Sequence, residues 1–357
     1  MTPRFTCRTA DVGAADAARA GGKAAALGEL ARAGLPVPRG YVVTVAAFGL
    51  HLDAVDPSGA TRRALGSLPA DDLAGITSAA ADMRARVAAA PLPPGVAAEI
   101  TSAYAGLGTG QVAVRSSATM EDSAEASFAG LQDTYLAVRG ADAVLDRVRA
   151  CWASLYNDES VTYRRRQGMG EDGLAMGVVV QRMLSPRSAG VMFTRSPVTG
   201  DRSVVAIEAT WGLGSALVSG EVTPDSFTVS KVTGEITGRR ISVKLRAHSG
   251  RPNGPGISVT PMPFALRRSA CLTDDEARAL AQTGRQVEDH YGVPQDIEWA
   301  LLGDSPGHPA LHADFADRIV LLQSRPETVW AARDRAPVAS PRAKARDHVL
   351  ARFRRAL

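Results

Sequence analysis

The sequence predicts an α+β protein, in which helices dominate the first half of the chain and strands dominate the second. Residues 46–110 have the composition of helices, interrupted where Pro and Gly cluster at residues 57–59 and 91–95. From Met176 onwards, short apolar runs are separated by turns that contain Gly, Pro or Ser, which is typical of strands. Helices and strands that occupy separate stretches of a chain are typical of the α+β class.

Length and composition indicate a globular protein with a sizeable core. The chain has 357 residues, of which 45% are hydrophobic and 22% charged, which is enough for two or three compact units. The net charge of +4 is small, and no basic stripe with interleaved aromatic residues is present, so we expect no nucleic-acid partner. The N-terminus lacks a signal-peptide core, and no apolar run reaches the ~20 residues that span a bilayer. Three widely spaced cysteines fit a reducing compartment, so we expect a soluble, cytoplasmic protein with no membrane partner.

The first clear helix is GGKAAALGELARAG, which begins at Gly21 and is closed by Gly34. The paired glycines would let the backbone pass close to a ligand, and Lys23 at the helix start would then be placed to hold a phosphate. A surface lysine beside an ordinary turn is the alternative. The segment is not a Walker A loop, because the first glycine and the Ser or Thr after the lysine are absent.

A second phosphate-binding candidate is the segment from Gln111 to Thr134. It begins as a short apolar strand, carries Arg115 where that strand ends, and continues as a loop of small residues that includes Gly130. Small residues let backbone N–H groups approach an anion, and arginine offers a rigid fork of donors to phosphate oxygens. An ordinary strand followed by a polar surface loop remains the alternative on these residues alone.

The other elements follow from local patterns. Met176–Val180 is a continuous apolar run, as expected of a buried strand, and Thr273 with Glu276 forms a capping box at a helix start. We also expect a strand at 41–44, a helix at 144–166, strands at 189–194 and 204–208, a glycine-rich turn at 211–214, a hairpin of 226–232 with 235–240, and a mobile loop at 246–263.

Two strands near the end of the sequence carry polar side chains suited to a nucleotide. In residues 295–302, Asp296 and Glu298 alternate with apolar residues and therefore share one face. In residues 319–325, Gln323 and Arg325 are expected to share a face with Ile319 and Leu321. Oxygen ligands bind Mg²⁺ and arginine neutralises the charge of phosphate groups, so the two strands suit a Mg²⁺–nucleotide site. The alternative, edge strands with solvated polar faces, is the favoured interpretation for Asp296.

A set of motifs occurs in one order along the chain: GGKAAALGEL, VAVRSSA, SFAGLQDTYL, CWASL, VVVQRML, AGVMFT, WGLG with LVSG and VTPD, DIEWA, and LLQSRP. Each motif alone is common, but the ordered set is specific. Together they resemble the nucleotide-binding domain shared by phosphoenolpyruvate synthase, pyruvate phosphate dikinase and rifampin phosphotransferase, over roughly residues 15–330. Two positions depart from the family's usual pattern: Leu131 stands where glutamine is usual, and Ser215 where glutamate is usual.

The resemblance implies an ATP-grasp fold, in which two subdomains close over a nucleotide cleft. It implies an N-terminal subdomain with a phosphate loop or lid at residues 1–180, a C-terminal subdomain with the Mg–ATP ligands at 181–330, and a basic tail at 331–357. The residues that it implies as ATP contacts are Lys23, Arg115, Gly130, Thr134, Gln181, Glu298, Gln323 and Arg325. Among these, Glu298 and Gln323 would also ligate Mg²⁺. Lys23, Arg115 and Arg325 would be the catalytic residues that neutralise phosphate charge, and Gln181 would lie at the hinge.

The resemblance also implies a reaction. In the family, ATP gives its β-phosphate to a histidine on a swivelling domain, and the γ-phosphate leaves as phosphate. No histidine here lies in that domain's Gly-Gly-x-x-Ser-His motif. We therefore expect an ATP-dependent, dikinase-like phosphotransferase subunit, whose phosphohistidine domain is a separate protein and whose final acceptor is a small molecule. One alternative is a kinase or ligase that acts directly on a small molecule in specialised metabolism. Another, to which Leu131 and Ser215 give some weight, is a nucleotide-binding module without catalysis.

Overall fold

The fold was obtained as a computed structural model, which describes residues 4–69, 71–108, 110–119, 122–123, 126–127, 133–166, 168–171, 173–252, 254–303 and 318–334. Within these ranges the chain contains both helices and antiparallel sheets, and this confirms the α+β prediction. None of the helices in these ranges combines the length and the apolar character that a membrane crossing requires.

Strands occur throughout the described chain. They are β1 Thr6–Arg8, β2 Gly40–Val43, β3 Val112–Ala118, β4 Asp122–Ser123, β5 Ala126–Ser127, β6 Thr134–Val138, β7 Met176–Arg182, β8 Ser188–Phe193, β9 Val204–Trp211, β10 Asp225–Ser230, β11 Ile236–Arg240, β12 Arg246–Gly250, β13 Ile257–Pro261, β14 Gln295–Leu301 and β15 Ile319–Pro326.

Most of the longer helices lie before β7. The α-helices are α1 Ala17–Ala20, α2 Gly22–Arg32, α3 Val45–Val55, α4 Ala60–Ser67, α5 Leu73–Ala89, α6 Pro94–Gly106, α7 Ala141–Ala153, α8 Asp158–Arg166, α9 Ser215–Val218, α10 Asp274–Tyr291 and α11 Val329–Asp334.

The strands form two principal sheets. The first has the order β1-β2-β7-β3-β6 and the second the order β11-β10-β9-β8-β14-β15. All pairs of neighbouring strands within both sheets are antiparallel. The strand β7, which ends at Arg182, crosses position 180, so Gln181 belongs to the first sheet and pairs with Gly40 and Ala113.

The first sheet is covered on one face by helices α3, α5, α6 and α7, whose apolar side chains form its core. Trp152 is fully buried there, with Phe48 at 5.7 Å and His51 at 5.3 Å between ring centroids. The opposite face of the sheet is partly covered by α2, which packs on Val42 and Val179. Because β7 is buried on both faces, its sequence is a continuous apolar run and does not alternate between apolar and polar residues.

The second sheet is covered on one face by α10, and Trp299 is fully buried between them. The predicted capping box is present at the start of this helix: Thr273 Oγ1 accepts from the Glu276 N–H at 3.2 Å, and Glu276 accepts from the Thr273 N–H at 2.9 Å. Helix α2 also contributes Leu30 to this core. The helix α2 therefore packs against both sheets and fixes how they lie beside each other.

The expected mobile loop at 246–263 is wrong, because β12 and β13 pair there as an antiparallel hairpin. Gly and Pro in this segment concentrate in the connection between the strands, whereas the strands are satisfied by backbone hydrogen bonds that need no apolar side chains. The hairpin connection reaches the first sheet: Gln111 Nε2 donates to the Arg251 carbonyl at 2.6 Å and to the Gly254 carbonyl at 2.8 Å. The hairpin thus links the two sheets on one side.

The predicted continuous helix at 144–166 is also wrong. It is broken into α7, a 3-10 turn at Ser154–Tyr156 and α8, because Asn157 adopts an extended backbone with φ −68° and ψ 150°. The predicted hairpin around Thr233-Gly234 is confirmed, with β10 and β11 paired and Gly234 at φ +73°.

Candidate nucleotide site

A cavity of about 310 Å³ lies between the two sheets, on the faces that their helical cores leave uncovered. One part of its lining is charged and polar, with Arg115, Thr134 and Glu298. Another part is mainly apolar and includes Met183 and Leu184, which follow β7. A cavity with one charged end and one apolar end matches the two ends of a nucleotide.

An ion pair crosses this cleft from one sheet to the other. The Arg115 Nη1 atom on β3 lies 3.1 Å from Glu298 Oε2 on β14. Only 11% of the Arg115 side chain is exposed, against 32% for Glu298. The Arg115 Nε atom is buried and has no hydrogen-bond partner among the described residues. An unpaired buried donor is costly, so a ligand acceptor that reached this atom would be favoured.

Thr134 and Gln181 lie on the same side of the cleft as Arg115. Thr134 pairs directly with Arg115 across the first sheet. Gln181 is only 2% exposed, and its side-chain Nε2 has no partner within the described part of the chain. Arg115 and Gln181 thus both line the cavity and both carry a buried donor atom without a partner among the described residues.

A β-bulge determines which side chains of β15 share a face with Glu298, although the β15 residue that lines the cavity is Leu322 and neither Gln323 nor Arg325 does so. Glu298 lies opposite Gln323, whereas the next residue of β14, Trp299, lies opposite Leu321. Leu322 is therefore the extra residue in β15, and the bulge turns Gln323 to the face opposite that of Leu321. The expectation that Gln323 and Arg325 share a face with Ile319 and Leu321 is thus wrong. The shift aligns Gln323 with Glu298, the other predicted Mg²⁺ ligand.

Two residue pairs further along, on the same face as Glu298, Asp296 lies opposite Arg325, with 3.3 Å between Asp296 Oδ2 and Arg325 Nη2. Burial raises the pKa of Asp296 to about 6, with Arg325 acting to lower it and Glu327 to raise it. Strand β14 lies between β8 and β15, and only 20% of the Asp296 side chain is exposed. The interpretation of Asp296 as a solvated residue on an edge strand is therefore wrong.

Lys23 lies in the first turn of α2, beside the first sheet. The Ala24 N–H donates to Ser117 Oγ of β3 at 3.0 Å, which ties this turn to the strand that carries Arg115. Lys23 also acts on the buried thiol of Cys151, where it opposes the rise in pKa that burial causes. Lys23 does not line the cavity, although its helix α2 packs on the sheet that carries Arg115. Gly130 and Leu131 lie outside the described residues, as do residues 120–121, 124–125, 128–129 and 132 of the proposed phosphate loop.

The structure adds a polar cluster that sequence reasoning did not find. Ser215 lines the cavity, and its Oγ lies 3.0 Å from His248 Nδ1. The other ring nitrogen, Nε2, lies 3.4 Å from Glu221 Oε2. Ser215 was noted only as a departure from a motif, and nothing in the sequence pointed to His248, because 33 residues separate the two.

The residues present fit a Mg²⁺-bound nucleotide. Glu298 and Gln323 offer two side-chain oxygens from opposed positions on neighbouring strands, and Mg²⁺ commonly takes one or two protein ligands besides phosphates and water. Asp296 Oδ1 is a further buried acceptor without a partner among the described residues. The unpaired donors of Arg115 and Gln181 fit the acceptor oxygens and nitrogens of a nucleotide.

Comparison with known proteins identifies a family of nucleotide-binding domains. A family model described as the pyruvate phosphate dikinase AMP/ATP-binding domain matches residues 17–346. The chain is similar to a rifampicin phosphotransferase from a Streptomyces species, at 47% identity over 306 residues, which covers 85% of this chain and 35% of that protein. It is 39% identical over 325 residues to a probable phosphoenolpyruvate synthase from Methanothermobacter thermautotrophicus, covering 89% of this chain and 45% of that protein. The chain thus spans less than half the length of these relatives.

Proposed function

The chain belongs to the pyruvate phosphate dikinase AMP/ATP-binding domain family, and from this membership we propose that it binds Mg–ATP between its two sheets and starts a phosphotransfer reaction there. The proposed arrangement is an ATP-grasp fold, with subdomains at 1–180 and 181–330 that close on the nucleotide and a basic tail at 331–357. The observation that carries the proposal is the Arg115–Glu298 pair, which brings a phosphate-binding cation and a metal-binding carboxylate together across the cleft.

In this proposal, the charged end of the cavity receives the polyphosphate. Arg115, Arg325 and Lys23 offset its negative charge, and Asp296 holds the Arg325 guanidinium in place through its 3.3 Å contact. Glu298 and Gln323 would hold Mg²⁺, which when bound supplies further charge neutralisation at the phosphate oxygens. Phosphoryl transfer needs mainly positioning and electrostatic stabilisation, and these residues together with Thr134 would supply them.

The proposed acceptor is a histidine on a separate swivelling-domain protein. That histidine would take the β-phosphoryl group of ATP, the γ-phosphate would leave as inorganic phosphate, and AMP would remain. A small molecule would then receive the phosphoryl group from the histidine. The names of the relatives, rifampicin phosphotransferase and phosphoenolpyruvate synthase, support this type of reaction.

Calorimetric titration with Mg–ATP tests the binding step. We expect Arg115→Gln and Glu298→Gln each to weaken Mg–ATP binding by about tenfold or more, since each removes a charge-assisted contact. Arg86→Gln is the matched control, because Arg86 also pairs with a carboxylate, at 2.7 Å, but is 52% exposed and does not line the cavity. Unchanged Mg–ATP binding in both cleft variants, with folding confirmed, contradicts the proposed site.

Product analysis separates the reaction classes. AMP and phosphate that appear only when a swivelling-domain protein is added support the proposal. Turnover with a small acceptor alone indicates instead a direct kinase or ligase. Binding of Mg–ATP without consumption, under either condition, indicates a nucleotide-binding module.

A further inference from the structure

The hydrogen-bonded side chains of Ser215, His248 and Glu221 lie at the cleft but have no part in the phosphate chemistry proposed above. His248 is almost fully buried, with 7% of its side chain exposed, and its two ring nitrogens contact Ser215 Oγ at 3.0 Å and Glu221 Oε2 at 3.4 Å. Glu221 also accepts from Ser219 Oγ at 3.2 Å. Only Ser215 and Ser219 of this group line the cavity.

The fold holds Ser215 against His248 through the glycine-rich turn before α9. Gly212 has φ +69°, and a Cβ atom there would lie 2.3 Å from the carbonyl oxygen of His248. The next residue, Leu213, donates its N–H to that same carbonyl at 2.9 Å. The turn is therefore fixed to the backbone of β12, and Ser215 follows it directly into the cavity.

The hydrogen-bond partners determine which way the protons point. The Glu221 carboxylate can only accept, so the Nε2 atom of a neutral His248 ring carries the proton and Nδ1 is the acceptor. Ser215 then donates its hydroxyl proton to Nδ1. The lone pairs of Ser215 Oγ remain for the cavity, where they can accept a hydrogen bond from a ligand hydroxyl.

The position of Ser215 indicates which part of a nucleotide it meets. The preceding residue, Gly214, lies against Ala189 and Gly190 of β8, and the next residue of that strand, Val191, is opposite Glu298. Strand residues are about 3.3 Å apart, so Gly214 lies one or two such steps from Val191, in the direction of Leu184 and Pro186, which precede β8 and also line the cavity. In a nucleoside triphosphate, the ribose occupies that place between polyphosphate and base.

We propose that Ser215 accepts a hydrogen bond from a ribose hydroxyl of the nucleotide and thereby selects ribonucleotides over deoxyribonucleotides. His248 and Glu221 are positioning residues, which keep the Ser215 proton directed away from the ribose. This inference rests on the proposed function, because it requires a nucleotide in the cleft. A deoxyribose analogue would leave Ser215 with one hydrogen bond fewer, which corresponds to about a tenfold loss of affinity.

Titration calorimetry with the Mg²⁺ complexes of ATP, 2′-deoxy-ATP and 3′-deoxy-ATP tests the inference. We expect the unmodified chain to bind ATP about tenfold more tightly than one of the two deoxy analogues. Ser215→Ala should weaken ATP binding to the level of that analogue and leave the affinity for the analogue unchanged. Val218→Ala is the control and should keep the preference, because Val218 lines the same cavity but its apolar side chain makes no hydrogen bond to Ser215, His248 or Glu221.

A second pair of variants tests the positioning role. His248→Leu should remove the preference for ATP over the analogue, whereas His248→Asn, which keeps an acceptor near the position of Nδ1, should retain part of it. A merely structural role would change the melting temperature of these variants but not the ratio of the two affinities.

The outcomes that overturn the inference differ from those that overturn the proposed function. Equal binding of ATP and both deoxy analogues to the unmodified chain overturns the ribose contact and leaves Mg–ATP binding intact. An equal loss of preference in Val218→Ala and Ser215→Ala also overturns it. A phosphate found on Ser215 by mass spectrometry after incubation with Mg–ATP would show that this hydroxyl attacks phosphorus instead. No binding of any nucleotide overturns both proposals.

Discussion

Replacing Gly21 by alanine should strongly destabilise the protein and weaken its nucleotide binding. Gly21 joins α1 to α2, and its backbone has φ +84° and ψ 163°, a conformation that is essentially restricted to glycine. A Cβ atom there would lie 1.7 Å from the carbonyl oxygen of Ser117 in β3. Neither the backbone oxygen nor the helix start can move without separating Lys23 from the strand that carries Arg115.

The magnitude follows from these two effects. A residue other than glycine in this backbone conformation costs about 1–3 kcal/mol. Forcing an extra methyl group into a packed contact typically costs a further ~1–3 kcal/mol. We therefore expect Gly21→Ala to lower the free energy of unfolding by about 2–6 kcal/mol. Gly34→Ala is the matched control: Gly34 also has positive φ, +76°, but nothing lies within 4 Å of its would-be Cβ, so only ~1–2 kcal/mol is expected.

Urea unfolding, followed by the far-UV circular dichroism of both variants, measures the difference. The midpoint should fall clearly further for Gly21→Ala than for Gly34→Ala. Calorimetry under native conditions should also show weaker Mg–ATP binding in the first variant alone. Equal midpoints for the two variants would refute the close approach of α2 to β3 on which the placement of Lys23 depends.

Two further predictions concern other contacts. Glu171→Ala should lower the free energy of unfolding by about 3–5 kcal/mol, because it leaves the Arg164 guanidinium as an uncompensated buried charge. The Arg164 side chain is 1% exposed and lies 3.0 Å from Glu171. Thermal melting measures the effect, and a melting temperature within a degree of that of the unmodified chain would contradict it. Gln111→Ala should loosen the attachment of the β12–β13 hairpin to the first sheet, since it removes the hydrogen bonds to the Arg251 and Gly254 carbonyls and leaves the one from the Gly256 N–H to the Ala137 carbonyl. Hydrogen exchange at residues 246–261 should therefore become faster, while exchange in α10 is unchanged. Unaltered exchange in the hairpin would show that other contacts hold it.

Local patterns in the sequence predicted individual elements well. The apolar run of β7, the capping box of α10 and the turn at Thr233-Gly234 all depend on residues close in sequence, and all three are present. Arg115 and Glu298 could also be proposed separately, because each stands out from an apolar strand. The ion pair between them could not be predicted, because 183 residues separate them and only the packing of the two sheets brings them together.

The features that the sequence did not predict depend on tertiary context. The bulge at Leu322 reverses the face of Gln323, and a single extra residue leaves no distinct pattern in the run of apolar side chains. The hairpin of β12 and β13 was missed because β12 is polar and ends in Gly250, β13 ends in Pro261, and the connection between them is held by a distant residue, Gln111. The place of His248 at the cleft was missed for the same reason, because His248 lies in β12.

The central claim is that a nucleotide lies between the two sheets with its phosphates at Arg115. The most direct test is a crystal structure of the chain with Mg²⁺ and a non-hydrolysable ATP analogue. The account predicts phosphate oxygens within hydrogen-bond distance of Arg115, Mg²⁺ at Glu298 and Gln323, and the base against Met183 and Leu184. A nucleotide bound at any other surface, with the cleft empty and the Arg115–Glu298 pair intact, would contradict the account.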